Sequence, residues 1–193
     1  MIACGALAAQ ARLAVDRSGL PAEVHCLPAQ LHDRPSEIGP AVEALARRLA
    51  AEGKSVVVAY ADCGTYGALD EVCGRLGLER LAGLHCYDVL AGEEIVARLL
   101  EEEPGTYLLT DFLLRGFRRL VVAALGLDRH PELVADYFGN YRRVVWLAEH
   151  PTAELEVEAG IVAGLLGLRL EVHLVGDRRV QPAIVTLVRS ARG

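Results

Sequence analysis

The chain has 193 residues with 20 basic and 26 acidic side chains, a formal net charge of −6. Apolar residues make up 52% and charged ones 24%, which excludes a globally disordered chain. The acidic balance lacks the basic field that a phosphate backbone requires, so nucleic acid is not an expected partner. Five cysteines, an odd number, with no basic and apolar leader ahead of them, point to a reducing cytoplasm. No apolar stretch reaches the roughly 20 residues of a membrane span, so no membrane partner is expected.

In chain order, a short apolar strand ends at Cys4, a helix runs from Leu7 to Asp16, Ser18-Gly19-Leu20 closes it, and a strand covers Ala22 to Leu27. A helix over Ser36 to Glu52 follows. Then Ser55 to Tyr60 reads as a buried strand, Asp62-Cys63-Gly64 as a polar elbow, Ala68 to Leu76 as a helix, Gly77-Leu78 as its close, and a short strand ends at His85-Cys86. After Gly92 a helix covers Glu93 to Glu103. Residues 104–141 read as a helical insertion, with helices over Phe112 to Leu125 and Pro131 to Phe138. The pattern then returns: strand Arg143 to Ala148, elbow His150-Pro151, helix Ala153 to Leu166, Gly167-Leu168, and a strand from Leu170 to Val175.

The threefold order of strand, elbow, helix, Gly-Leu and strand is a βαβ repeat, with Cys4 to His25, Cys63 to His85 and His150 to His173 spaced 21, 22 and 23 positions. The expected fold is therefore α/β, a doubly wound and mainly parallel sheet in a single domain over 1–193. A glycine after each helix needs no functional account, because a left-handed residue commonly closes a helix.

Open parallel sheets bind ligands outside the carboxyl ends of their strands. Cys4, Cys26, Cys63 and Cys86 fall at such expected ends, whereas Cys73 lies within a helix. Cys4, Cys63 and Cys86 are the candidate metal ligands, since thiolates suit zinc or iron–sulfur iron and three protein ligands leave a position for water or substrate. The competing reading is that free cysteine packs as a small buried hydrophobe. Cys63, between a strand and a helix start, is also a candidate nucleophile, because helix-terminal amides lower a thiol pKa. The same elbow is a candidate cofactor or anion seat through Asp62, Gly64 and Thr65, with Arg34 as an anion clamp.

His85 is a candidate acid or base beside Cys86, and His32 a candidate proton shuttle in a proline-bounded loop with Asp33 and Arg34. His150, in the third elbow, is an outside candidate ligand. Asp111 either caps the helix at Phe112 or faces the same cleft as a catalytic carboxylate. Lys54 is the one lysine beside 19 arginines, and no G-x-G-x-x-G fingerprint follows a strand, which disfavours Schiff-base and common nucleotide-dependent enzymes.

Met1-Ile2-Ala3-Cys4-Gly5-Ala6-Leu7, Leu31-His32-Asp33-Arg34-Pro35, Tyr60-Ala61-Asp62-Cys63-Gly64-Thr65, His85-Cys86-Tyr87 and Leu109-Thr110-Asp111-Phe112 together resemble the domain of unknown function family 1638. Members of that family are often encoded beside corrinoid-dependent methyltransferases, so the resemblance implies a setting in methyl transfer, with a corrinoid protein or methyltransferase as partner. Its recurrent cysteines correspond to Cys4, Cys63 and Cys86 here.

Two functional expectations follow. One is a metal-binding protein or enzyme holding zinc or an iron–sulfur cluster on the three cysteines, with His85, His32 and Asp111 in proton transfer. The alternative is a metal-free module that binds a small anionic ligand or a corrinoid partner at the elbows.

Overall fold

Ile2–Cys4 (β1) is the middle strand of a three-stranded parallel sheet, between His25–Leu27 (β2) and Val58–Ala59 (β3). The computed structural model describes residues 1–191. Their contacts fall into two compact units, one of Met1–Val89 with the segment from Asp177 onward, the other Leu90–Gly176.

In the first unit, Ala8–Ser18 (α1) links β1 to β2 and Ile38–Ala51 (α2) links β2 to β3. The two steps run in opposite directions from β1 in the order β2-β1-β3, so right-handed crossovers put α1 and α2 on opposite faces. Accordingly α1 packs on Val180–Ser190 (α9), and α2 packs on Ala68–Leu76 (α3). This is the doubly wound pattern, and the strand order reverses between β1 and β3.

Residues from Val56 to Ala61 are all buried, as strands covered on both faces require. Only Val58–Ala59 pairs in the ladder, a shorter strand than Ser55 to Tyr60. Ile38, Val42, Ala46 and Leu49 give α2 one buried stripe at helical spacing. Gly19, Gly77 and Gly167 all adopt the left-handed conformation where their helices end.

The strand expected to end at His85-Cys86 is corrected. Arg80 makes a single parallel bridge with Val58, and the following loop stays beside β3 through Asp62 N–H to Gly83 O (3.1 Å) and Cys63 N–H to Leu84 O (2.7 Å). Cys86 then opens the helix Cys86–Ala91 (α4). The cause is Asp88, whose carboxylate accepts the Leu84 and His85 amides at 2.8 and 2.9 Å and turns the chain into a helix.

In the second unit, Glu93–Glu102 (α5) precedes a parallel sheet of Thr106–Thr110 (β4), Arg143–Ala148 (β5) and Arg169–Leu174 (β6) in sequential order. β4 corrects the reading of 104–141 as helical. Thr106-Tyr107-Leu108-Leu109-Thr110 is rich in strand-forming residues and largely buried against β5. The helical part is Asp111–Phe117 (α6), a wide π turn over Arg118–Val122, and Leu133–Phe138 (α7). Both crossovers step the same way, so α6 and Ala153–Leu166 (α8) pack together around Trp146, Phe117 and Ala159. The buried Arg143 joins three elements, donating to Leu99 O (2.6 Å) and Thr106 Oγ1 (2.8 Å) and pairing with Glu171 (2.7 Å). Among the described residues no helix is long and apolar enough to cross a membrane.

Candidate functional site

The reversal between β1 and β3 is the point at which an open parallel sheet offers a crevice. Cys4 closes β1 there, fully buried, and its sulfur accepts the Ala6 amide at 3.3 Å as the cap of a short 3-10 turn. Gly5 allows the next chain to approach: a Cβ at this position would lie 2.9 Å from Ala29 N and 3.0 Å from Leu27 O. That approach seats the 3-10 turn Ala29–Asp33, which carries His32, over Cys4. His32 Nδ1 lies 2.8 Å from Ala29 O and therefore donates its hydrogen there, which leaves Nε2 directed at Cys4 Sγ 3.8 Å away.

Tyr60 follows β3 and is fully buried, its ring nearly parallel to that of His32 with centroids 6.3 Å apart. Its hydroxyl is close enough to Cys4 for each to bias the ionisation of the other. No hydrogen bond of standard geometry reaches the oxygen, which is buried. Burial, then the neighbouring Cys4 and Cys63, push the phenol pKa up. Cys63 is buried in a left-handed backbone conformation (φ +52°), and the backbone amides of Cys86 and Ala61 lie near enough to its sulfur to favour the thiolate. Burial, and then Cys4, raise its thiol pKa to about 12. Burial likewise raises that of Cys4 against the opposing amides of Ala6 and Leu7.

The elbow holds its own anion. Asp62 accepts Thr65 Oγ1 (2.6 Å), Gly67 N (2.9 Å) and Tyr66 N (3.0 Å). Burial works against this carboxylate, but those hydrogen bonds prevail and hold its pKa below the usual range. The Thr65 hydroxyl also accepts Leu69 N at 3.3 Å, so it caps α3. Gly64 has φ +81° and packs near Pro35.

Residues 26–182, about four-fifths of the chain, match the model of a family described as Protein of unknown function (DUF1638). The chain belongs to the DUF1638 family. The DUF1638 match takes in His32, Tyr60, Cys63 and Cys86 and begins after Cys4. No curated protein and no solved structure matches it.

In this DUF1638 chain the remaining candidates lie as follows. Cys86 is half-buried and meets Cys63 through its backbone N–H. His85 is exposed, 3.9 Å from Asp88. Arg34 is exposed and pairs with Glu37 at 2.9 Å. Asp111 is buried in the second unit, where it accepts Trp146 Nε1 (2.8 Å), Glu149 N (3.2 Å) and His150 N (2.8 Å) and so fixes the loop after β5. The cap of α6 is Thr110, whose Oγ1 accepts Leu113 N at 3.2 Å. Cys26 is exposed beside Arg12 (3.3 Å), and Cys73 is buried in α3.

A cavity of about 310 Å³ lies at the other end of the first sheet, among Met1, Glu23, His25 and Lys54. Its charged groups neutralise one another, with Lys54 2.8 Å from Glu23. The convergence of chemical groups is at Cys4 instead. Tyr60 is the functional candidate that sequence reasoning passed over. Its signal was a hydroxyl at the end of a run otherwise composed of valine and alanine.

Proposed function

We propose that the chain is a metal-binding protein, holding zinc or iron–sulfur iron at the carboxyl ends of β1 and β3 through Cys4, Cys63 and Cys86, with His32 as a fourth donor. The observation that carries this reading is the meeting of the Cys4 thiol and His32 Nε2, 3.8 Å apart, beside the Cys63 thiol, which the Cys86 amide touches. Two donors of one zinc ion, with bonds of about 2.0–2.3 Å, stand about 3.5 Å apart.

The donors also fit chemically. Buried neighbouring thiols resist ionisation without a cation, and a bound metal would supply the charge that holds them as thiolates. Among the described residues, no three His, Cys, Asp or Glu side chains are grouped as a ready ligand set. Binding on this reading therefore draws the third donor inward, and Cys86, which opens a short helix after a loop, is the one placed to move. Four protein donors would close the tetrahedral shell of zinc, so a small-molecule ligand would reach the metal by displacing His32. The family resemblance adds a corrinoid protein or methyltransferase as the partner, in the cytoplasm.

A second reading has one observation in its favour. Ala29 O orients His32 toward Cys4 as the third group of a catalytic triad orients its base, which would make Cys4 a nucleophile. The raised thiol pKa values oppose an unassisted thiolate. Anion capture at the elbow has less support, since Asp62 already takes the amides an anion would need.

Metal analysis of anaerobically purified protein tests the proposal. A stoichiometric metal that protects Cys4 and Cys63 from thiol titration, and that is lost in Cys63→Ser, is the expected result. Metal-free protein with every thiol freely titratable overturns it.

A further inference from the structure

The helix α8 has a second apolar side that the second unit does not use. Leu155, Ala159, Val162, Ala163 and Leu166 face the core. On the opposite side, Val157, Ile161 and Leu165 are 64%, 59% and 47% exposed. These three recur at i, i+4 and i+8 and form one continuous ridge. Gly160 and Gly164 lie beside the ridge, and a Cβ on either would meet nothing within 4 Å, so they leave an open groove. Beyond Glu158 the helix is apolar on all sides, and such a helix is ordinarily covered on all sides. The apolar exposure extends to the edge strand β6, where Val172 and Leu174 are 51% and 71% exposed. Their register partners Trp146 and Ala148 belong to the core beneath α8, so both project from the same sheet face.

We infer that this face is the seam of a homodimer, in which α8 packs antiparallel against α8 of a second copy across a twofold axis. Shape supports a second copy, because ridge and groove lie side by side on one helix and each can receive the other's counterpart. Charge supports the antiparallel arrangement. Glu154, Glu156 and Glu158 occupy the first half of α8, residues 159–168 carry no charge, and Arg169 follows. A twofold axis near Val162 sets the acidic end of each helix against Arg169 of the other, whereas a parallel pair would set acid on acid. Arg169 shares Glu171 within its own chain at 3.1 Å, yet its side chain remains 63% exposed.

Sedimentation of the full chain over a range of micromolar concentrations tests the inference, with two variants chosen to leave the monomer intact. Wild-type protein is expected to reach the mass of two chains. Ile161→Glu places a charge on the ridge, and Gly164→Leu fills the groove with a better helix former. Each should weaken self-association at least about tenfold, with an unchanged circular dichroism spectrum and, for Gly164→Leu, an undiminished melting temperature. A wild-type chain that stays monomeric throughout overturns the inference, including one that instead binds anionic vesicles. Dimerisation unaltered in both variants also overturns it, because the seam then lies elsewhere.

Discussion

His32 Nε2 stands 3.8 Å from Cys4 Sγ while His32 Nδ1 is held 2.8 Å from Ala29 O. The carbonyl fixes which nitrogen is bare, so the imidazole presents a lone pair to the thiol without needing to rotate. His32→Ala should therefore lower affinity for zinc at least about tenfold, measured by competition with a coloured chelator. Cys26→Ser is the control, since Cys26 is exposed and held by Arg12. Equal losses in both variants would remove the special role of the pair.

Tyr60→Phe separates ligand binding from stability. The hydroxyl is buried without a partner, a state that costs about 1–3 kcal/mol when nothing offsets it. Removing it should leave the metal-free protein as stable as before, or more stable by about 1 kcal/mol in chemical denaturation. Metal affinity should fall severalfold if the hydroxyl serves the bound state. A variant that destabilises the free protein would show instead that the oxygen has a structural partner.

Gly5→Ala tests the approach that brings His32 over Cys4. Its Cβ would meet backbone atoms at 2.9 and 3.0 Å, so we expect a loss of about 1–3 kcal/mol and slackened zinc binding. Gly74→Ala, on α3 with nothing within 4 Å, should gain about 0.5–1 kcal/mol. Melting temperatures of the two variants should move in opposite directions.

The pair Asp70–Arg80, at 2.6 Å, anchors the loop leading to Cys86. The hydrogen bond from Arg80 is the main reason the Asp70 pKa lies below its usual 3.8, against an opposing effect of burial. Its stabilisation is complete above that usual value and disappears as pH falls through the lower folded value. With Asp70 56% exposed, solvent limits the gain to under about 1 kcal/mol. Asp70→Asn should thus be slightly less stable than wild type at pH 7 in urea unfolding, and the two should converge in strong acid.

The third repeat was legible, its first strand and its helix to the residue and its last strand, expected over Leu170 to Val175, to within one residue of Arg169–Leu174. Val144–Ala148 is a continuous apolar run, and Ala153–Leu166 lies between the Thr152 cap, which accepts Leu155 N at 3.3 Å, and the left-handed Gly167. β4 was not, because a five-residue buried strand lacks alternation and cannot be told from helix by period alone. The equal spacing of the repeats also misled at His85-Cys86, where the local capping of Asp88 prevails over the strand pattern. Cys4, Cys63 and His32 could be read from their places at strand ends and in the following loop. The roles of Asp62 and Asp111 could not, since both carboxylates are consumed by amides whose positions only the folded loops define. Tyr60 required knowledge that its hydroxyl meets no partner.

The second unit is one unbroken stretch, Leu90–Gly176, whereas the first resumes at Asp177 to supply α9, the helix that packs on α1. A chain emerging from the ribosome thus releases all of Leu90–Gly176 before the helix that covers α1 exists. The intervening unit can fold as an independent block during synthesis, while the sheet that ends in Cys4 still lacks one of the helices packed on it. Completion of the first unit therefore waits for Val180–Ser190, a helix that the sequence places after the whole of the second unit.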